Sequence, residues 1–146
     1  MERISIDAMY MTIAEIMSKR SYCIRKKVGC VIVKDNMIIS DGYNGTPTGF
    51  ENVCEDENGN TKQFVLHAEA NALTKLAKST NSSTNATLYV TMSPCYECSK
   101  LIIQTGIKKV VFKEKYRIED GLELLKKAGI EVIQYEEKSY DFSIKQ

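Results

Sequence analysis

The chain has 146 residues, which suits a single domain over residues 1–146 and is too short for two ordinary ones. Lysine and arginine number 20 against 19 aspartates and glutamates, so net charge attracts neither nucleic acid nor an anionic membrane. No stretch approaches the ~20 apolar residues of a membrane span, and five cysteines without a signal-like leader predict reduced thiols in a cytoplasmic protein.

The amino-terminal part opens with a predicted helix and a hairpin. Over residues 5–19, apolar side chains recur at helical spacing, which predicts an amphipathic helix that covers one face of a sheet. Two short β-rich runs, 28–33 and 37–40, flank a polar turn and are predicted as the first two strands. Residues 41–62 are then a polar, glycine-containing stretch. Because loops longer than ~12–15 residues in compact domains are usually functional or disordered, we expect this one to serve the function.

From residue 68 onward, helical and strand patterns alternate. The predicted elements are helix 68–78, strand 87–91, helix 95–104, strand 108–112, helix 119–128 and strand 130–134. A helix between successive strands implies right-handed crossovers and a largely parallel continuation of the hairpin, with helices on both faces. The predicted fold is therefore a three-layer α/β/α domain with a mixed five-stranded sheet. Residues 81–85 are predicted as a polar connector and residues 136–146 as a surface tail.

Two short motifs carry groups suited to metal chemistry. His67 is the only histidine of the chain, Glu69 follows it by two residues, and Cys95 and Cys98 form a Cys-x-x-Cys pair. One imidazole and two thiolates bind zinc and leave a fourth position open for water, as catalytic zinc sites do. Zinc can lower the pKa of such a water from ~15.7 towards ~7. Glu69 is then the candidate proton carrier, and the sequence predicts one zinc ion (Zn2+) per chain.

The residues before the cysteine pair predict where a helix begins. Ser93 suits the capping position and Pro94 the first helical position, which places both cysteines in the first turn on one face. The partial positive charge of a helix amino terminus lowers thiol pKa values and favours metal-binding thiolates. Alone, the pair could equally belong to a structural zinc ribbon or a redox site, and a lone histidine or glutamate to the core or the surface. Together the four residues favour a hydrolytic zinc site, the arrangement described for zinc nucleobase deaminases.

The motifs His67-Ala68-Glu69 and Pro94-Cys95-Tyr96-Glu97-Cys98 resemble those of the cytidine and deoxycytidylate deaminase superfamily. Within it, residues 42–49 (Gly-Tyr-Asn-Gly-Thr-Pro-Thr-Gly) and 27–33 resemble the deoxycytidylate (dCMP) deaminases, in a likeness that runs from about residue 18 to 134. The small size resembles the phage and bacterial branch. The resemblance implies a cytidine-deaminase-like fold and hydrolysis of dCMP to dUMP and ammonia, which supplies thymidylate synthesis.

The resemblance also implies the substrate contacts. Asn44 would hydrogen-bond the sugar, the Ala68 amide would hold the base carbonyl, and the Ser93 carbonyl would orient the amine. Thr46 and Pro94 are further substrate-binding candidates by the same resemblance. An asparagine in a glycine-rich loop offers a donor and an acceptor on backbone that approaches a ligand closely. The alternative is an asparagine that serves only a turn.

A monophosphate substrate requires a cationic or donor-rich pocket. Tyr116 and Arg117 follow the strand predicted to end at Phe112, and parallel strands direct their carboxyl ends towards a ligand crevice. We therefore predict that these two residues bind the phosphate, with Arg25 and Lys27 as the second choice. The alternative for each is a solvated surface side chain.

Members of the family resemble one another in forming hexamers that dCTP activates and dTTP inhibits. For this chain the resemblance implies a homo-hexamer and an effector site at Asn44, Gly45 and Gly49, where Mg2+ could accompany the triphosphate. Allostery of this kind requires that each effector bind two states with different affinity.

Some phage relatives hold a second, structural zinc on cysteines placed like Cys23 and Cys54, together with a loop histidine. This chain has no second histidine, so such a site would need a carboxylate such as Glu55 or Asp56. We expect one zinc per chain, and Cys23, Cys30 and Cys54 as small buried apolar residues.

Other functions share parts of this pattern. Adenosine deaminases that act on tRNA and riboflavin-pathway deaminases carry the same zinc motif, but near-neutral charge and the 42–49 loop disfavour a tRNA substrate. Outside enzymes, the chain could be a non-catalytic, zinc-stabilised nucleotide-binding regulator. Glu69 argues against that function because a structural zinc site has no use for a buried proton carrier.

Overall fold

The computed structural model describes residues 3–136, and five strands within this range form one sheet. In chain order the elements are α1 Ile6–Ser18, β1 Gly29–Lys34, β2 Met37–Tyr43, α2 Ala68–Ala77, β3 Thr87–Met92, α3 Tyr96–Gln104, β4 Lys109–Glu114, α4 Asp120–Lys127 and β5 Glu131–Gln134. The strand order across the sheet is β2-β1-β3-β4-β5. β1 is antiparallel to both of its neighbours, whereas β3, β4 and β5 are parallel to one another.

Helices cover both faces of the sheet, which confirms the predicted three layers. Neighbouring side chains of β1 alternate between the faces, as the pleat of a strand requires. Val31 and Val33 belong to the core beneath α1, whereas Cys30 and Ile32 belong to the core on the opposite face, which the other three helices cover. The larger core lies on that second face, where α2, α3 and α4 contribute Leu76, Ile102, Leu125 and their neighbours.

The second strand is longer than predicted. It continues through Asp41 and Gly42 to Tyr43, which pairs with Gly29 of β1. Gly42 remains part of the strand, and its lack of a side chain lets α2 pack directly against the strand backbone. A Cβ at Gly42 would lie 2.7 Å from the carbonyl oxygen of Ala68. The long functional segment therefore begins after Tyr43, not at Asp41.

No helix among residues 3–136 is long and apolar enough to cross a membrane. The predicted surface tail lies outside the described residues from position 137 onward.

A disulfide joins Cys23 to Cys54, with 5.1 Å between their Cα atoms. Both residues are buried, and the bond closes a loop across a sequence separation of 31. The prediction of reduced thiols is therefore wrong for this pair, while Cys30, Cys95 and Cys98 are free. The error has a simple cause: an odd number of cysteines does not exclude one bonded pair, and sequence separation does not reveal which cysteines meet in space.

Reducing this disulfide is expected to destabilise the fold. Closing a loop of about 30 residues restricts the unfolded chain and contributes about 3–4 kcal/mol to the free energy of unfolding. In urea denaturation, a thiol reductant should lower the midpoint of the oxidised protein. The Cys23→Ser/Cys54→Ser double variant is the control, because its lower midpoint should not respond to reductant. A parent midpoint that the reductant leaves unchanged would contradict this prediction.

Candidate metal centre and active site

The amino termini of two neighbouring helices bring three metal-binding side chains together. His67 is the capping residue of α2, Cys95 is the capping residue of α3, and Cys98 lies in the first turn of α3. The nitrogen Nδ1 of His67 is 3.4 Å from Sγ of Cys95 and 3.4 Å from Sγ of Cys98. Among the described residues, these three side chains form a group whose ligand atoms all lie within 4.8 Å of one another.

The local start of α3 differs from the prediction. Cys95, not Ser93, caps the helix, because its Sγ accepts a hydrogen bond from the backbone N–H of Cys98 at 3.4 Å. Pro94 consequently precedes the cap instead of occupying the first helical position. The Ser93 hydroxyl accepts a hydrogen bond from the Tyr116 N–H at 2.7 Å, which joins the end of β3 to the segment after β4.

The geometry of the group fits a zinc ion. Ligands held by one tetrahedral zinc at ~2.0–2.3 Å lie about 3.5 Å apart, close to the separations between His67 and the two sulfurs. One nitrogen and two sulfurs are also the ligand types that zinc prefers. His67 is exposed and Cys95 half-buried, so one side of the group opens towards a cavity.

The ionisation of the two thiols differs. Hydrogen bonding with Cys98, and then with His67, lowers the pKa of Cys95 to about 4. Hydrogen bonding with Cys95, and then burial, raises the pKa of Cys98. Cys95 therefore loses its proton easily, whereas Cys98 retains its own, as expected for two coupled thiols at a helix amino terminus. The hydrogen bond with Cys95 also raises the pKa of His67.

Glu69 lies in the first turn of α2 and is only 4% exposed. Burial raises its pKa to about 7, against a model-peptide value near 4.5. A carboxyl group with a pKa near neutrality can both accept and donate a proton at physiological pH, which is the property of a general acid and base.

These groups form part of the wall of a cavity of about 480 Å3. Seven of the predicted site residues line the cavity beside Cys95: Asn44, His67, Ala68, Glu69, Ser93, Tyr116 and Arg117. The remaining candidates among the described residues, Thr46, Gly45, Gly49, Pro94 and Cys98, do not line it. Cys98 is buried behind its partners, and Pro94 is fully buried.

Asn44 has a structural role, the connection of two segments by hydrogen bonds, that the sequence did not reveal. Its Oδ1 accepts a hydrogen bond from the Val28 N–H at 2.9 Å, and its Nδ2 donates to the Lys26 carbonyl at 2.8 Å. The Asn44 carbonyl accepts from the Ser21 hydroxyl at 2.8 Å. Asn44 therefore fastens its own segment to residues 26–28, and one donor hydrogen and one lone pair remain on its amide.

Three cationic side chains form part of the wall of this cavity, together with the Glu55 carboxylate. Arg25, Lys26 and Arg117 line it, and the Lys26 ammonium lies 4.9 Å from the centre of the Tyr116 ring. Lys27 turns away and donates from Nζ to the Ser21 carbonyl at 2.7 Å. Sequence reasoning therefore missed Lys26 and named Lys27 in its place. No local pattern separates the two lysines, because residues 25–27 precede β1 and belong to no helix or strand.

The profile of the family described as "Cytidine and deoxycytidylate deaminase zinc-binding region" matches residues 4–114. The chain belongs to this family. The match includes all three metal-binding candidates and Glu69. It also confirms the family that the two motifs predicted from sequence.

Individual members of the family are similar over nearly the whole chain. Deoxycytidylate deaminase of Saccharomyces cerevisiae is 40% identical over 143 residues, which are 91% of this chain and 46% of the yeast protein. Deoxycytidylate deaminase of Enterobacteria phage T4 is 36% identical, over 88% of this chain and 89% of its own length. This chain thus spans less than half of its yeast relative and most of its phage relative.

The fold is also that of a solved family member. The crystal structure of dCMP deaminase from cyanophage S-TIM5, in complex with dCMP and dUMP, has a TM-score of 0.89 and 48% sequence identity. The alignment covers 92% of this chain and 100% of the cyanophage chain. The predicted cytidine-deaminase-like fold is therefore confirmed.

Proposed function

We propose that this chain hydrolyses dCMP to dUMP and ammonia, the reaction that supplies dUMP for thymidylate synthesis. One observation carries the proposal: a His67, Cys95 and Cys98 group and a buried Glu69 lie at a cavity that three cationic side chains also line. A candidate hydrolytic centre and cationic side chains in one cavity of about 480 Å3 suit a nucleoside monophosphate. The similar cyanophage enzyme was crystallised with dCMP and dUMP.

His67, Cys95 and Cys98 would hold one zinc ion per chain. When bound, the metal supplies a Lewis acid that makes water a nucleophile at neutral pH. The half-buried Cys95 and the buried Cys98 keep the ligand group fixed, while the exposed side of His67 faces the cavity.

Glu69 would carry the protons of the reaction. It accepts one proton from the attacking water and delivers it to the ring nitrogen, and it later takes the remaining proton from the added hydroxyl group and transfers it to the departing amine. A carbon–oxygen bond forms at the base carbon that carries the amine, and the carbon–nitrogen bond to that amine breaks. Water and dCMP are consumed, and dUMP and ammonia are formed. The raised pKa of Glu69 is consistent with both directions of transfer.

Backbone groups beside the metal-binding group would orient the base. The Ala68 amide is the first N–H of α2, which has no partner within the helix and can donate to the base carbonyl. The Ser93 carbonyl would accept from the amine. Asn44 would contact the sugar through the amide atoms left over from its bonds to residues 26–28. The contacts of Thr46 and Pro94 rest on the family resemblance alone.

The phosphate would bind to the cationic and donor side chains that line the cavity. Tyr116 and Arg117 are the proposed contacts, with Arg25 and Lys26 beside them. The backbone N–H groups of Ile24 and Arg25 donate to Glu55 at 3.0 and 3.3 Å, which fixes the segment that carries these cations.

Purified protein should therefore deaminate dCMP, measured as loss of cytosine absorbance in the ultraviolet. Its kcat/KM for dCMP should exceed that for deoxycytidine at least about tenfold, because one charge-assisted hydrogen bond to phosphate contributes about 1.5 kcal/mol or more. Cytidine, dCTP and adenosine serve as comparison substrates. Turnover of only cytidine or adenosine would contradict the proposed substrate, and no turnover at all would favour a non-catalytic nucleotide-binding regulator.

The Glu69→Gln variant should retain zinc and lose about 10²–10⁴-fold in kcat, since the amide cannot carry protons. Elemental analysis should find one zinc per chain in both parent and variant. Glu97→Gln is the matched control, because Glu97 lies on α3 with its side chain 77% exposed and paired with Lys100. A Glu69→Gln enzyme as fast as the control would show that the proton route is assigned wrongly.

We further propose that the active form is a homo-hexamer that dCTP activates and dTTP inhibits, with Mg2+ on the triphosphate. The family resemblance supports this regulation, with Asn44, Gly45 and Gly49 as effector contacts. Two contacts connect the proposed effector residues to the cavity. Gly45 pairs with Leu66, directly before His67, and the Asn44 side chain is hydrogen-bonded to residues 26 and 28 at the cavity. A ligand that displaces this segment would act on the backbone before His67 and on residues 26–28 at the cavity.

Under this regulation, Mg2+-dCTP should lower, and Mg2+-dTTP raise, the dCMP concentration needed for half-maximal rate. Steady-state kinetics at several dCMP concentrations measure the shift, and dGTP is the matched triphosphate control. A dCMP saturation curve that neither effector moves would remove the regulatory part of the proposal and leave the reaction untouched.

A further inference from the structure

Helix α4 meets the start of α3 at Gly121. Gly121 is the second residue of α4 and is buried. A Cβ on Gly121 would lie 2.3 Å from the carbonyl oxygen of Pro94, 2.8 Å from the carbonyl carbon of Cys95 and 2.8 Å from Oγ of Ser99. Two of these three atoms belong to the backbone of the turn that carries Cys95. Helix α4 therefore lies against that turn at a distance that only glycine permits.

Neither α4 nor the Pro94–Cys95 backbone can move away from this contact freely. Leu122 and Leu125 anchor α4 in the larger core, where they are 3% and 0% exposed. On the other side, Pro94 is fully buried and its ring restricts the backbone. The hydrogen bond between Ser93 and Tyr116 holds the preceding residue. A side chain at position 121 must therefore shift the Pro94–Cys95 backbone, the helix α4, or both.

A shift of that backbone acts directly on two of the metal-binding candidates. Cys95 caps α3 through its Sγ, which accepts from the Cys98 N–H, so the cap geometry sets both sulfur positions. Ser99 is the next residue, and its N–H donates to the Cys95 carbonyl at 2.9 Å. Zinc–ligand distances vary within only ~0.2 Å, so a displacement of a few tenths of an ångström weakens binding.

We propose that Gly121 is a positioning residue for the zinc ligands Cys95 and Cys98. Through backbone contact with Pro94 and Cys95, it fixes the turn from which both sulfurs project. The inference rests on the proposed zinc ligands, and it assigns a role in metal binding to a helix that contributes no ligand of its own. Ser99 takes part from the α3 side, because its fully buried Oγ lies against the same glycine and has no hydrogen-bond partner among the described residues.

The test measures metal binding separately from turnover. Zinc affinity is determined by competition with a chromophoric chelator, and the coordination is examined by the visible absorption of the Co2+-substituted protein. Gly121→Ala should bind zinc at least about tenfold more weakly, the loss typical of changes that disturb ligand orientation. Its Co2+ spectrum should differ from that of the parent, which general loss of stability would not produce in folded protein.

Gly129→Ala is the matched control. Gly129 follows the other end of α4 and has a φ of +83°. A Cβ at this position would have no atom within 4 Å. Alanine is strained in that conformation, so this variant should lower the unfolding midpoint and leave zinc affinity and the Co2+ spectrum as in the parent. The pair of variants separates positioning from general destabilisation.

If Gly121→Ala does not fold, Ser99→Thr decides the question. Threonine adds one methyl group to the buried side chain that faces Gly121 and changes no backbone atom in the contact, so zinc affinity should fall in the same direction by a smaller factor. Parent-like zinc affinity in folded Gly121→Ala, or in Ser99→Thr when the first variant is unfolded, would overturn the inference. Tight zinc binding by a parent that does not deaminate dCMP would contradict the proposed reaction, and the comparison of variants would still decide the role of Gly121.

Discussion

The candidate active site depends on one constraint, the meeting of the amino termini of α2 and α3 at the same edge of the sheet. His67 occupies the capping position of one helix and Cys95 that of the other, so the capping positions are also the candidate metal-binding positions. Neither helix alone carries enough metal-binding side chains for a zinc site. The short distances between the imidazole and the two sulfurs exist because both helices pack side by side on one face of the sheet. Gly42 and Gly121, on either side, let the supporting strand and helix approach closely enough to maintain this meeting.

Much of this arrangement was predictable from sequence, because the decisive groups come in short motifs. The spacings of His67 with Glu69 and of Cys95 with Cys98 are local, and each places its residues within one helical turn. Periodicity likewise predicted the order of helices and strands, since each element buries one face against the core. One local error, Ser93 as a cap, arose because a cysteine sulfur took the role that a serine hydroxyl usually has.

What could not be predicted consists of contacts between segments that are distant in the chain. The Cys23–Cys54 bond, the bonds of Asn44 to Lys26 and Val28, and the Lys26 contact with Tyr116 each join residues at least 16 positions apart. No periodic pattern encodes such pairs, because they depend on how complete elements pack. The cationic lining of the cavity is accordingly the part that the sequence indicated least well: Arg25 and Arg117 were predicted, and Lys26 was not.

The helices that follow the parallel strands all run in one direction, so their two ends lie at opposite edges of the sheet. Helices α2, α3 and α4 all begin at the edge that holds the cavity and end at the opposite edge, where residues 78–86, 105–108 and 128–130 connect them to the next strand. Insertions or deletions in those connections lie a full helix length away from the metal-binding group. We therefore expect changes of length in these connections to leave the candidate active site intact.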